Sequence, residues 1–175
     1  MNRVLEKPAS SASRRNAGFI AIVGITALVA AVSTALCLRV GIPVWGMFAG
    51  WIVFVTSGGG AKAGFAALGS ALLGLILGMG GGVAIAASAH GLGSLAVPAV
   101  VFAIVAIAML GQRVPLLNSV ICYFIGMTVY FASALPPAPA TFATLGSAMT
   151  LGVLSGLLAT VLGSLARSSS DVREQ

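Results

Sequence analysis

The sequence predicts an all-α integral membrane protein: six transmembrane helices built as two inverted-topology three-helix repeats, with short or broken second and fifth spans. Three observations lead there. The 175 residues are 59% hydrophobic and only 7% charged, and the mean hydropathy is +1.11; a soluble domain carries about 25% charged residues because its surface faces water. The apolar residues fall into six runs. Parts of the first three runs recur in the last three.

The only acidic residues, Glu6, Asp171 and Glu174, lie in the two tails, so Lys7 to Ser170 contains no carboxylate side chain. Residues 1–16, rich in Ser and Arg, read as a disordered cytoplasmic tail, and 168–175 as a second; neither has enough apolar surface to fold alone. The apolar runs are Ala17–Leu38, Ile42–Thr56, Ala63–Ala89, Leu92–Leu110, Val114–Ala134 and Phe142–Ala166. Crossing a hydrocarbon core of about 30 Å takes roughly 20 helical residues. The first run is long enough to span, and no small-residue cleavage site follows a short core, which argues against a secretory signal. The second is short: Pro43 to Ser57 reaches only about 22 Å as helix. The third is long and carries Gly74, Gly78, Gly80, Gly81 and Gly82, so a tilt or kink is expected there.

Orientation follows from the loop charges. Arg3, Lys7, Arg14, Arg15, Lys62, Arg113, Arg167 and Arg173 lie on the side of the N-terminus, and Arg39 alone lies on the other. The positive-inside rule then puts both termini in the cytoplasm. Basic residues placed singly at the ends of apolar runs are topology signals and headgroup contacts. They give the net charge of +6 no nucleic-acid partner.

FAGWIVFVTS from Phe48 and FIGMTVYFAS from Phe124 share a pattern 76 residues apart, and FAALGSAL from Phe65 returns as FATLGSAM from Phe142, 77 residues on. One residue inserted in the intervening loop accounts for the difference. The core therefore reads as a three-span repeat at 17–90 and a second at 92–167. Three is odd, so the second copy enters from the opposite face. Inverted repeats recur in transporters, with solute sites near the midplane between halves.

Gly46 and Gly50, Gly74, Gly78 and Gly82, and Gly152 and Gly156 recur at every fourth residue, the spacing that lets helices approach closely in lipid. They are candidate packing positions, within a protomer or between copies. Ser70, Ser147 and Ser155 would bond to their own helix or across to a neighbour. Cys37 and Cys122 fall inside apolar runs and read as small buried hydrophobes. No ligand spacing suggests a metal, no cofactor is implied, and there is no acid pair or Ser/His/Asp set for an enzyme. His90 reads as a solvated interfacial residue. Ser57–Gly64, SGGGAKAG, has Ala61 and Ala63 where a phosphate loop requires Gly and Ser or Thr, so no nucleotide site is expected.

The short second span points to a path. If the helix stops at Thr56, the backbone of Ser57, Gly58 and Gly59 is left irregular at membrane depth, which is tolerated only where protein or water satisfies it. Lys62 either snorkels to headgroups or offers its ammonium at the cytoplasmic mouth. The counterparts in the second repeat are Tyr130, Ser133 and the Pro136–Pro137 turn. Asn118 is the only side-chain amide within the spans. Phe48 and Phe124 are either a two-sided constriction or plain core aromatics, and Trp45 reads as an interface belt residue.

The run from Ile42 to Lys62, with Trp45, Phe48, Gly50, Phe54, Gly58, Gly59 and Lys62, resembles the bacterial inner-membrane family catalogued as domain of unknown function 1097. The resemblance implies a small inner-membrane protein and no particular activity. The residues themselves point to a passive channel or facilitator for a neutral polar solute. They also allow a non-transporting scaffold or assembly subunit, or an ion-coupled carrier holding Na⁺ by backbone carbonyls. A thin six-helix core suggests a homo-oligomer, a dimer or trimer, surrounded by lipid. A green fluorescent protein fused after Gln175 is expected to fluoresce, as it does only in the cytoplasm; a dark fusion with an active alkaline phosphatase fusion at the same site would reverse the orientation.

Overall fold

The computed structural model describes residues 8–115 and 117–172, with side chains from 18 to 115 and from 117 to 168. Among these residues there is no strand, and six α-helices follow one another: α1 (Pro8–Val40), α2 (Val44–Thr56), α3 (Ala61–Leu92), α4 (Ala96–Gly111), α5 (Val120–Ser133) and α6 (Pro139–Val172). A 3₁₀ turn, Gly93–Leu95, joins α3 to α4. Three stretches are long and apolar enough to cross a membrane: Gly18–Val40, Ala61–Gly111 and Pro139–Ser168. Val44–Thr56 and Val120–Ser133 are apolar but shorter. These lengths and compositions mark the chain as a membrane protein.

Several boundaries differ from the sequence reading. Residues 8–16 and 168–172, expected as disordered tail, continue α1 and α6 as helix. Once an apolar helix is nucleated, each added residue gains a hydrogen bond, and proline suits a first turn. Residues 1–7 and 173–175 lie outside the described residues. The fifth run begins at Val120 instead of Val114, because Pro115 offers no N–H and the chain turns there. Arg113 N–H donates to Leu110, Val114 N–H to Gly111 and Leu117 N–H to Val114, at 3.0–3.2 Å.

The four inner helices form two parallel pairs. On one, Gly46 faces Ala148 and Gly156 faces Phe54, so α2 and α6 run in the same direction. On the other, Gly74 faces Tyr123 while Gly78 and Gly82 face Tyr130, so α3 and α5 do likewise. Each short helix thus packs on the long helix from the other end of the chain. The contacts are between backbones. A Cβ added at Gly50 would overlap the Met149 carbonyl, at Gly152 the Met47 carbonyl, at Gly74 the Tyr123 carbonyl and at Gly126 the Ala71 carbonyl.

The two pairs are built alike. Gly46, Met47, Gly50, Val53 and Phe54 are buried in α2, and Cys122, Tyr123, Gly126, Val129 and Tyr130, each 76 residues later, are buried in α5. The same holds for Ala67, Leu68, Ser70, Ala71, Gly74, Leu75 and Gly78 in α3 and for Leu145, Gly146, Ala148, Met149, Gly152, Val153 and Gly156 in α6, each 78 residues later. The FAALGSAL match at 77 is therefore displaced by one from the packing register, and the insertion is two residues instead of one. Ser70 shows the consequence: it is fully buried, whereas its sequence match Ser147 is exposed.

Helices α1 and α4 lie outside these pairs. Each buries a narrow stripe at every fourth residue: Val29, Ser33 and Cys37 in α1, and Ala96, Val100, Ile104 and Ala108 in α4. The Ser33 and Ser155 hydroxyls are hydrogen-bonded at 2.7 Å, tying α1 to α6. Ile104 meets Gly81 of α3. Their other faces expose large apolar side chains such as Phe19, Leu28 and Phe102, a surface suited to lipid contact.

Gly50→Ala and Gly126→Ala are each expected to destabilise the fold by about 1–3 kcal/mol or more, since a backbone has to shift. Gly80→Ala, with nothing within 4 Å of the added carbon, is expected to be neutral or slightly stabilising. Denaturant unfolding in mixed micelles measures all three.

Candidate functional site

Helix α2 stops where its own side chains take its last carbonyls. Thr56 Oγ1 donates to the Val53 carbonyl at 3.0 Å and Ser57 Oγ to the Phe54 carbonyl at 2.6 Å. Gly58 and Gly59 then adopt φ of +89° and +79°, left-handed values that cost a side-chain-bearing residue roughly 1–2 kcal/mol. Helix α3 restarts after Gly60, with no side-chain cap on its first turn.

The turn lies beside the loop before α5. Together they bound a cleft of about 520 Å³ lined by Thr56, Ser57, Ala63, Ala66, Ala67, Pro115, Asn118 and Ser119. Cys122, fully buried at the start of α5, underlies the Ser119 side of this cleft. Ser119 Oγ donates to its sulfur at 3.0 Å, and Thr56 Oγ1 lies 3.8 Å from the same atom. The lining carries hydroxyls and an amide but no ionisable group.

Of the residues singled out in the sequence, this cleft gathers Thr56, Ser57 and Asn118. Gly58 and Gly59 form the turn behind it, and Lys62 is exposed on the first turn of α3. Tyr130 is buried beneath Gly78 and Gly82, facing no cavity. Ser133 closes the last turn of α5, donating to the Tyr130 carbonyl at 2.7 Å, as Ser57 does for α2. Phe48 and Phe124 do not form a constriction. They are 43% and 41% exposed, and only Phe124 lines the second cleft, an apolar groove shared with Trp45 and Ile52 between α2 and α5. The glycines at 46, 50, 74, 78, 82, 152 and 156 all meet atoms of a neighbouring helix within the chain.

Sequence reasoning missed Ser119, Pro115 and Cys122. The signal was present in Pro115-Leu-Leu-Asn-Ser119, where a proline and two turn-forming residues interrupt an apolar run. Gly126 was missed as a packing residue although it stands in the repeat opposite Gly50.

The two ends of the α2/α5 pair differ in polarity. The positions matching Thr56, Asn118, Ser119 and Cys122 at the 76-residue spacing are Ala132, Ile42, Pro43 and Gly46. Between the ends the centre is closed: Met47, Val53, Phe54, Leu75, Leu145, Met149 and Val153 are all under 2% exposed.

The profile of a family described as protein of unknown function (DUF1097) matches residues 22–164. No curated protein and no solved structure matches the chain.

In native membranes the chain is expected to resist a hydrophilic maleimide, since Cys37 and Cys122 are both buried. Asn118→Cys, at the exposed wall of the cleft, is expected to label readily. Equal labelling of native protein and variant would mean that the floor beneath Ser119 is open.

Proposed function

The chain belongs to the DUF1097 family, and we propose that it is a small passive channel or facilitator for a neutral polar solute in the bacterial inner membrane. The observation that carries this is the cleft at the break after α2, walled by Thr56, Ser57, Asn118 and Ser119 without a charged group. Groups of that kind replace the hydration shell of an uncharged solute and hold no ion strongly.

In this reading all six helices cross the bilayer, as two inverted three-span repeats with both termini in the cytoplasm. The matched burial of α2 with α5 and of α3 with α6 supports the repeat, as does the exchange of partners between the two parallel pairs. The charge count puts the cleft on the cytoplasmic side, with Lys62 and Arg113 near the headgroups. At 13 and 14 residues, α2 and α5 reach only about 20 Å, so the turns after Thr56 and Ser133 complete each crossing. The closed centre makes this an occluded form, and passage requires the α2–α6 and α3–α5 pairs to part.

A homo-oligomer, dimer or trimer, is part of the proposal. The glycine faces are occupied within the chain, which leaves the outer stripes of α2 (Trp45, Phe48, Ile52, Val55) and α5 (Ile121, Phe124, Phe131) for contact between copies. Short helices facing lipid are mismatched to its thickness, and association relieves that.

The dry centre itself favours a second reading, a non-transporting scaffold or assembly subunit. An ion-coupled carrier has less support, since the cleft offers no carboxylate. Stopped-flow permeability of proteoliposomes to water, urea, glycerol and formamide, against empty vesicles, separates these readings. Flux above the control is expected for at least one solute. No difference across the panel, with inserted and folded protein, would leave the scaffold.

A further inference from the structure

The hydrogen-bonding state of the cleft says more than its polarity. A hydroxyl has one hydrogen and two lone pairs. Thr56 Oγ1 donates its hydrogen to the Val53 carbonyl, Ser57 Oγ to the Phe54 carbonyl and Ser119 Oγ to the Cys122 sulfur. All three hydroxyls are thereby fixed as acceptors toward the cleft. Asn118 is the one lining side chain that brings N–H donors, and it makes no hydrogen bond within the protein. The site therefore holds an excess of acceptors, with a single amide to donate.

A solute complementary to that set carries several donors around one acceptor. Water-sized polyols do not fit the description, because every hydroxyl they bring adds an oxygen that needs a donor of its own. Small primary amides do. Urea has four N–H hydrogens around one carbonyl, and its nitrogen lone pairs are delocalised and accept nothing. An unmet polar group in a desolvated site costs about 1–3 kcal/mol, enough to separate the two classes.

Resting on the facilitator reading above, we propose that the cleft selects small primary amides of the urea class over polyols of similar size. Their N–H groups reach the oxygens of Thr56, Ser57 and Ser119, and their carbonyl accepts from Asn118. The cleft volume of about 520 Å³ leaves ample room for such a molecule with its residual water.

Two measurements test this. In proteoliposomes, urea and formamide are expected to cross faster than in empty vesicles, while glycerol and ethylene glycol stay near the control. Thr56→Val and Asn118→Leu, both at exposed positions that spare the core, are expected to lower amide flux about threefold to tenfold, the worth of one hydrogen bond. Polyols crossing as fast as amides, or variants that slow every solute alike, would overturn amide selection while leaving a channel. If no solute crosses, transport fails and the site is judged by binding. Saturation-transfer NMR on the micellar protein then compares the methyl signals of acetamide and N,N-dimethylacetamide, which keeps the carbonyl but has no N–H. A larger effect on acetamide that disappears in Thr56→Val upholds the site without transport. Equal effects overturn it.

Discussion

The structure depends on backbone meeting backbone. Inside lipid no water drives helices together, so the attraction comes from dispersion contacts and weak hydrogen bonds that need very close approach. Four glycines supply it, Gly50 and Gly152 between α2 and α6, and Gly74 and Gly126 between α3 and α5. Around these contacts the remaining inner side chains close without exposed gaps: Leu75, Leu145, Met149 and Val153 are all nearly inaccessible. No buried side-chain nitrogen or oxygen among the described residues lacks a partner. The outer helices α1 and α4 need less, because each touches the core along a single stripe.

That arrangement also locates the polar chemistry. Tight pairing leaves no room for hydrophilic groups along the contact lines, and the hydroxyls there, such as Ser70 and Ser155, bond back to their own helix. Polar side chains with free capacity collect where helices end. At one end of the α2/α5 pair they are Thr56, Ser57, Asn118 and Ser119; at the other, the matching positions hold Ala132, Ser133, Ile42 and Pro43. Two copies of one architecture have thus diverged at their termini while keeping their contact surfaces.

Much of the helical framework was legible in the sequence. The helix stop at Thr56 followed from the three glycines after it, and the glycine spacing marked the faces that meet. What remained hidden was register. Phe65-Ala-Ala-Leu-Gly-Ser and Phe142-Ala-Thr-Leu-Gly-Ser align by eye, yet helix packing responds to which face is turned inward, and a one-residue offset rotates a helix by about 100°. The start of α5 was also misplaced, because the apolar residues after Arg113 read as helix until Pro115 is allowed to turn the chain. The cleft escaped notice for the same reason: half its wall belongs to that loop. Phe48 and Phe124 show a further limit, since their symmetry in sequence said nothing about whether they face each other or the surroundings.

The exchange of partners has a consequence for biosynthesis. When α3 has been made, neither it nor α2 has met the helix it belongs with, since Tyr123 and Gly126 lie in α5 and Met149 and Gly152 in α6. From Leu92 to Gly156 the ribosome needs roughly 3 to 13 s at ordinary elongation rates. Through that interval the bare glycine grooves of the nascent chain must be shielded by lipid or by the insertion machinery. A chain cut after the third helix would keep them bare, which makes it a ready substrate for quality-control proteolysis unless the missing half is supplied as a separate polypeptide.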